Sequence, residues 1–395
     1  MQLFLFFLRW TFLIPTIVGS LYVILCLFAV WRFRAPSAYC FQDVLRWPPV
    51  TILKPVCGPE KGLKENLRSA CLQDYPEFQV VFSVQDPADP AIPLLREIHE
   101  EFGPDRVSVA VENVLAGPNG KINNLLGALR HARYDVLVIS DSDVRLRSDY
   151  LKAVVAPLAD PGVGFACTLY RATSADRWFE RMELLTMNAD FIPGVVFAYL
   201  SGASRFCLGC SVALRRQSLK EMGGLESLAN YLAEDYEMGR RLWVSGKRMV
   251  LVPYLVDIVV DLKNPSQWWN HQVCWDQKTR SAHAAGFLAS ILTRSVPFAL
   301  LLALSRMGDS LGMTILTCVL GLRLSAAAGI LGLGLRDREG LKSLALLPLR
   351  DLAAMVSWVL AFIKKTVIWR GSEFVLTRNG RLLFPSFRNH GEHRD

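Results

Sequence analysis

With 395 residues, 52% of them hydrophobic and only 20% charged, and a mean hydropathy of +0.26, the chain is too apolar for an ordinary soluble enzyme, so part of it lies in a membrane. Its nine cysteines are scattered without the dense spacing of a secreted disulfide scaffold, which points to reduced thiols. The net charge of +8 suits an anionic membrane face or a diphosphate; with no run of basic and aromatic residues arranged for stacking, nucleic acid is set aside as a partner.

The apolar residues gather at the two ends. Residues 10–31, centred on TFLIPTIVGSLYVILCLFAV, supply about the twenty apolar residues that a bilayer crossing needs. The flanks lack a charged leader beyond Arg9 and a small-residue cleavage site, so a retained anchor is expected. Arg32 and Arg34 follow, and the positive-inside rule predicts a cytoplasmic location for the domain after them.

That domain shows alternating elements. Residues 50–53 read as a short buried strand, 65–72 as a helix, and 78–85 as a strand rich in β-branched and aromatic residues. Residues 92–102 then read as a helix, 107–111 as a strand, 122–131 as a helix and 136–140 as a strand. Strand and helix in this alternation imply an α/β domain with a mostly parallel sheet wound by right-handed crossovers.

Acids leave this pattern at three places: Asp86 in QDPADPA, Asp141 and Asp143 in ISDSDV, and the pair Glu234-Asp235 in YLAEDYEMG. In an open α/β sheet, ligands collect beyond the carboxyl ends of the strands, where such acids can converge; the pattern suggests a nucleotide-sugar transferase. Asp141-Ser142-Asp143 makes sense beside a diphosphate chiefly with a hard divalent cation, Mg²⁺ or Mn²⁺, bound through one or two acids and the substrate's oxygens. Taken singly the triplet is also a common exposed turn. Asp86 is either a turn acid or an acceptor for the base or ribose of a nucleotide. Glu234-Asp235 opens a helix, as a dipole partner or, for Asp235, as the general base for an acceptor hydroxyl.

Cys207-Leu208-Gly209-Cys210 has the spacing of redox and zinc sites but no second pair or thioredoxin-like surroundings, so a buried core strand is expected there. Trp268, Trp269 and Trp275 can form an interfacial aromatic belt. Beyond them, residues 286–304, 311–335 and 343–363 are apolar, yet Arg323 interrupts the second and Arg350-Asp351 the third. Such charges are costly unless they face a protein interior, and one of the three segments is expected to be re-entrant or interfacial. Lys364, Lys365, Arg370, Arg378 and Arg381 make the end of the chain basic.

Together these stretches resemble the ceramide glucosyltransferase family and its bacterial relatives, including hopanoid-associated glycosyltransferases. The resemblance rests on ILKPVCG (52–58), QDPADPAI, GPNGKINNL (117–125), ISDSD, LAEDY (232–236) and VIWRG (367–371), and spans nearly the whole chain. It implies a Rossmann-like GT-A catalytic domain flanked by transmembrane helices, with inversion as the sugar of a UDP-sugar is transferred to a lipid hydroxyl and UDP departs. Glucose and ceramide come first; transfer of N-acetylglucosamine to a hopanoid or other polycyclic alcohol is the alternative. A bacterial inner membrane is the expected setting.

The resemblance also implies Asp86 at the nucleotide, Lys121, Asn123 and Asn124 on the donor side, Asp141 and Asp143 at the diphosphate and metal, and Asp235 as base beside Glu234. The family's fourth motif, Gln or Arg followed by two residues and then Arg-Trp, survives here only as His271-Gln272-Val273-Cys274-Trp275. His271, Trp275 and Arg280, with Lys278, remain candidates for the diphosphate or acceptor side. A processive polysaccharide synthase would need that motif intact and more membrane helices. A silent membrane scaffold would not need the acids. The expected organisation is an anchor at 1–35, the transferase domain at 36–285, membrane helices at 286–367 and a basic tail at 368–395.

Overall fold

The computed structural model describes residues 2–33, 46–203, 207–369, 372–377 and 379–384. Arg34, Arg370, Gly371, Arg378 and the stretch 385–395 lie outside the described residues. The chain divides into two units. One comprises Pro36–Arg171, Arg205–Asp261 and Gly371–Asp395; the other comprises Met1–Ala35, Ala172–Ser204 and Leu262–Arg370.

The first unit is built on an eight-stranded sheet of order β3-β2-β1-β4-β7-β6-β8-β5. The strands are β1 (Val50–Pro55), β2 (Phe78–Val84), β3 (Val107–Val111), β4 (Val136–Ser140), β5 (Val144–Arg145), β6 (Val163–Thr173), β7 (Ser211–Arg215) and β8 (Arg248–Val259). Every residue of β1, β2 and β4 is buried, which is why these strands read as near-continuous apolar runs rather than as alternating ones. β1 is parallel to β2 and β4, with Ile52 opposite Val80 and Val138, and β2 is parallel to β3. β7 then joins β4 antiparallel, with Ala213 opposite Val138, and β6 joins β7 antiparallel.

The chain therefore runs outward from β1 to β2 and β3, then returns to place β4 on the other side of β1. The crevice beyond the carboxyl ends of β1 and β4 is the switch point where an open sheet of this kind receives its ligand.

Three predicted elements have their predicted bounds: the helix Ile92–Phe102, β3 and β4. The helix expected at 122–131 starts earlier, at Gly120, because Asn119 Oδ1 accepts from the Ile122 amide at 3.1 Å and caps it. The expected core strand at Cys207–Cys210 is not one. Both thiols are buried and free, but the strand begins only at Ser211. Part of the predicted basic tail belongs to the sheet unit, where Ser372–Leu376 and Leu382–Leu383 form an antiparallel hairpin.

The second unit is helical. Among the described residues, Arg9–Phe33, Ser310–Gly334 and Leu344–Ile363 are long and apolar enough to cross a membrane, and Ala284–Thr293 with Ser295–Ser305 forms a pair bent by 55°. The charges that looked costly in the sequence are paired inside this unit. Arg323 grips Asp351 through Nε and Nη2 at 2.9 and 3.1 Å, and its Nη1 donates to the Ala189 carbonyl at 3.1 Å. Arg350 donates to Asp351 at 2.9 Å and to Asp190 at 2.6 Å.

Candidate active site

The site grows from the two strand ends at the switch point. Lys54, on β1, is completely buried, and its ammonium donates to the Asp141 carbonyl at 2.6 Å, the Val144 carbonyl at 3.0 Å and Ser140 Oγ at 3.2 Å. All three donors are spent on the turn from β4 into β5, so the loop carrying the Asp-Ser-Asp triplet is pinned from beneath. Burial draws the Lys54 pKa down to about 8, against the pull of Asp143, Asp141 and Glu60.

Above this anchor, Lys121 in the first turn of Gly120–Arg130 lies 2.7 and 3.0 Å from the two Asp141 carboxylate oxygens, 3.4 Å from Glu234 Oε1, and donates to the Gly209 carbonyl at 3.0 Å. One cation thus joins three chain segments far apart in sequence. Burial disfavours its charge, but Asp141 and Glu234 outweigh burial and hold the ammonium above its ordinary range.

Asp143 faces different surroundings. Its Oδ1 is shut from solvent and has no hydrogen-bond partner among the described residues. Burial, with Asp141 and Glu60 adding like charge, raises its pKa to about 7, opposed by Lys54 and Lys121. Ser142 donates to Glu60 at 2.7 Å, which accounts for the middle of the triplet. No group of three or more metal-ligating side chains occurs among the described residues. A hard divalent cation that also takes substrate oxygens and water needs only one or two carboxylates, and the orphaned Asp143 oxygen beside Asp141 fits such an ion.

The pair Glu234-Asp235 occupies the first turn of the helix Glu234–Val244, whose amide end favours negative charge. Glu234 is buried and accepts from Asn119 Nδ2 at 3.4 Å. Asp235 is partly exposed, accepts from the Tyr236 amide at 2.8 Å, and stands against Gly209: a Cβ on that glycine would come within 2.7 Å of the aspartate's Cβ.

The remaining donor-side candidates differ in what they have left to offer. Asn123 is consumed by the loop before it, accepting from the Ala116 and Gly117 amides and donating to the Gly117 carbonyl at 2.8 Å. Asn124 donates to the Val56 carbonyl at 2.8 Å, tying its helix to the end of β1, while its Oδ1 is buried without a partner among the described residues. Asp86 is exposed two residues beyond β2 and accepts from the Ala88 amide at 2.8 Å, the geometry of an aspartate turn.

His271, Trp275 and Arg280 belong to the helical unit, on the helix Pro265–Ala282. His271 Nδ1 lies 2.9 Å from Glu183 Oε1, and Gln272 donates to the other oxygen of that buried carboxylate at 2.6 Å. The His271 and Trp275 rings are 5.1 Å apart, and Trp275 lies 5.5 Å from Phe191. Arg280 lies over the Phe362 ring at 5.7 Å. Trp268 is buried between Trp178 and Trp269, so it packs within its unit.

Sequence reasoning passed over Lys54, Glu60 and Asn119. The first had a readable signal, since a lysine inside an apolar strand is almost never buried without partners.

A family model described as glycosyl transferase family 21 matches residues 11–382. Ceramide glucosyltransferase 3 of Caenorhabditis elegans is 24% identical over 359 residues, covering 86% of this chain and 75% of its own length. A ceramide glucosyltransferase of Candida albicans is 35% identical over 121 residues, covering 28% of this chain and 22% of its own length. Among solved structures, a mannosyltransferase from Pyrobaculum calidifontis in complex with GDP-Man and Mn²⁺ is 19% identical with a TM-score of 0.48, covering 88% of this chain and 98% of its own.

Proposed function

The chain belongs to glycosyl transferase family 21, and we propose that it moves a hexose, glucose first, from a UDP-sugar to the hydroxyl of a membrane lipid such as ceramide, with inversion at the anomeric carbon. The observation that carries this reading is the meeting of Asp141, Lys121 and Glu234 beside the orphaned Asp143 oxygen and Asp235. Acids gathered with Lys121 at a switch point suit a charged donor whose leaving group is a diphosphate.

In this reading Asp86 accepts from the base or ribose of the nucleotide. Lys121 balances Asp141 and Glu234, and the Asn124 carbonyl oxygen faces the donor. Asp143 with Asp141 would hold a divalent cation, which when bound neutralises charge on the departing diphosphate. Asp235 accepts the proton of the lipid hydroxyl while the hydroxyl oxygen forms its bond to the anomeric carbon, from the face opposite the breaking sugar–phosphate bond. UDP leaves with the bonding electrons, and the proton stays on the Asp235 carboxylate until product release. The ceramide named in the relatives and the apolar helices support a membrane lipid as acceptor. Arg32 in the last turn of the first candidate span supports a cytoplasmic catalytic face, as in a bacterial inner membrane.

The test is transfer by the purified protein in detergent from labelled UDP-glucose and UDP-N-acetylglucosamine, each offered with ceramide and with a hopanoid alcohol. Labelled glucosylceramide is the expected product. Label in the hopanoid would move the acceptor assignment, and no labelled lipid with any pair would overturn the reading.

A further inference from the structure

The segment that delivers Asp235, residues 229–234, has no side-chain cap where its helix begins, since Ala233 stands at the cap position. It is held from two directions instead. The Asn119 amide donates to the Ala229 carbonyl at 2.9 Å, and Asn119 Nδ2 donates to the Tyr231 carbonyl at 2.8 Å. The intervening groups go elsewhere: Leu382 N–H donates to the Asn230 carbonyl at 2.8 Å, and Leu232 N–H donates to the Gly380 carbonyl at 3.0 Å. Residues 229–230 form a turn, and Tyr231 makes a single antiparallel bridge to Arg381, so the segment is fixed by these few bonds rather than by a strand ladder.

The hairpin on the second side is itself tightly closed. Thr377 accepts from Gly380 N–H at 3.1 Å and donates its own N–H to the Arg381 carbonyl at 2.9 Å, around Gly380 at φ +74°. Leu382 and Leu232 are both buried, and the guanidinium groups of Arg381 and Arg241 lie 5.5 and 5.6 Å from the Tyr231 ring centre. The hairpin's pairing ends at Leu232, three residues before Asp235, which is fixed in the first helical turn.

We infer that the hairpin formed by Ser372–Leu376 and Leu382–Leu383 is a positioning element for the reaction, setting where Asp235 stands by pairing with residues 230–232. The inference rests on the reading of Asp235 as the base. Among the described residues, the hairpin pairs with neither β4, which places Asp141, nor the helix Gly120–Arg130, which places Lys121; those elements meet residues 229–234 only through Asn119 and Glu234, so proton removal should suffer far more than donor binding when the hairpin is disturbed.

Leu382→Pro in the full chain removes the N–H that Asn230 accepts. Because a displacement of about 1 Å at a reacting group can cost about a hundredfold in rate, kcat should fall at least about thirtyfold while UDP affinity, measured by equilibrium dialysis on the same preparation, stays within about twofold. Tyr231→Leu, which keeps the apolar body and removes both cation contacts, should give the same split at about three- to fivefold, and it serves if the proline variant fails to fold. An unchanged kcat overturns the inference, and so does a parallel loss of UDP affinity, which would mark a general structural role. Asp235→Asn is the control that separates the two readings: if it turns over normally, the base assignment fails; if it is inactive while Leu382→Pro behaves as wild type, only the hairpin's role fails.

Discussion

Gly209 stands so close to Asp235 that a methyl group on the glycine would lie 2.7 Å from the aspartate's Cβ and 3.1 Å from one of its carboxylate oxygens. The contact explains why this position carries no side chain, although the backbone there does not require a glycine. Gly209→Ala should push the Asp235 carboxylate off its place. The expected outcome is a loss of about ten- to a hundredfold in kcat, with a stability cost of about 1–3 kcal/mol from overpacking. Steady-state kinetics with a thermal melt checks it; a fully active alanine variant would remove Asp235 from the reaction.

Lys121→Met leaves Asp141 and Glu234 facing each other without their shared cation. Both ends of the Lys121–Glu234 contact are largely buried, with side-chain exposures of 13% and 8%. Breaking a buried pair by removing one partner costs about 3–5 kcal/mol, and the partial exposure of Asp141 moderates that toward the lower end. The KM for the UDP-sugar should also rise at least about tenfold, equivalent to 1.4 kcal/mol. A methionine variant with unchanged KM would contradict the donor-side role.

Chelation should abolish turnover, and added Mn²⁺ or Mg²⁺ should restore it. Asp143→Asn should weaken Mn²⁺ binding in the presence of UDP at least about tenfold, read from the free-ion signal by electron paramagnetic resonance. Turnover indifferent to chelation would remove the role assigned to Asp143.

Asp190 predicts a pH dependence for the helical unit. Burial pushes its pKa up, but the guanidinium groups of Arg350 and Arg323 more than offset this and hold the carboxyl well below its ordinary range. A depressed carboxyl contributes stability that is present above its unfolded pKa of about 4 and is lost as the pH falls through its folded value. The melting temperature in detergent should therefore hold from pH 7 to about 5 and drop at lower pH. Asp190→Asn should lower it at neutral pH and flatten the acid decline. With a side-chain exposure of 41%, the neutral-pH loss should be about 1–2 kcal/mol rather than that of a sealed pair. An acid profile identical in both proteins would refute the assignment.

The elements that local pattern specifies were readable in the sequence. Val136–Ser140 is a buried apolar run bounded by turn residues, Ile92–Phe102 has helical spacing, and the acids at the strand ends stood out for breaking those runs. What escaped depends on distant partners. Lys54 looked like the polar end of a strand because its acceptors are contributed by residues 140–144, nearly ninety positions on. The Cys207–Cys210 stretch has the composition of a strand, but the chain turns there so that the Gly209 carbonyl meets Lys121. The end of the chain looked like a basic tail because nothing local announces that Gly380 and Leu382 pair with residues 150 positions earlier. The partners of Arg323 and Arg350 were half visible: Asp351 is adjacent, whereas Asp190 comes from a helix 160 residues away.

That last arrangement bears on how the protein is made. Arg323 and Arg350 emerge from the ribosome inside apolar stretches, and a lone arginine at mid-membrane costs a nascent helix about 2.5–3.5 kcal/mol at insertion. Asp190 is synthesised well before either arginine and Asp351 just after the second, so Ser310–Gly334 enters the bilayer before its main counter-ion exists. On that order of synthesis, Ser310–Gly334 is expected to be retained in a bilayer only once Leu344–Ile363 brings Asp351 to Arg323. In an insertion assay, Ser310–Gly334 alone should be retained poorly, and Arg323→Leu should improve its retention while weakening the finished protein.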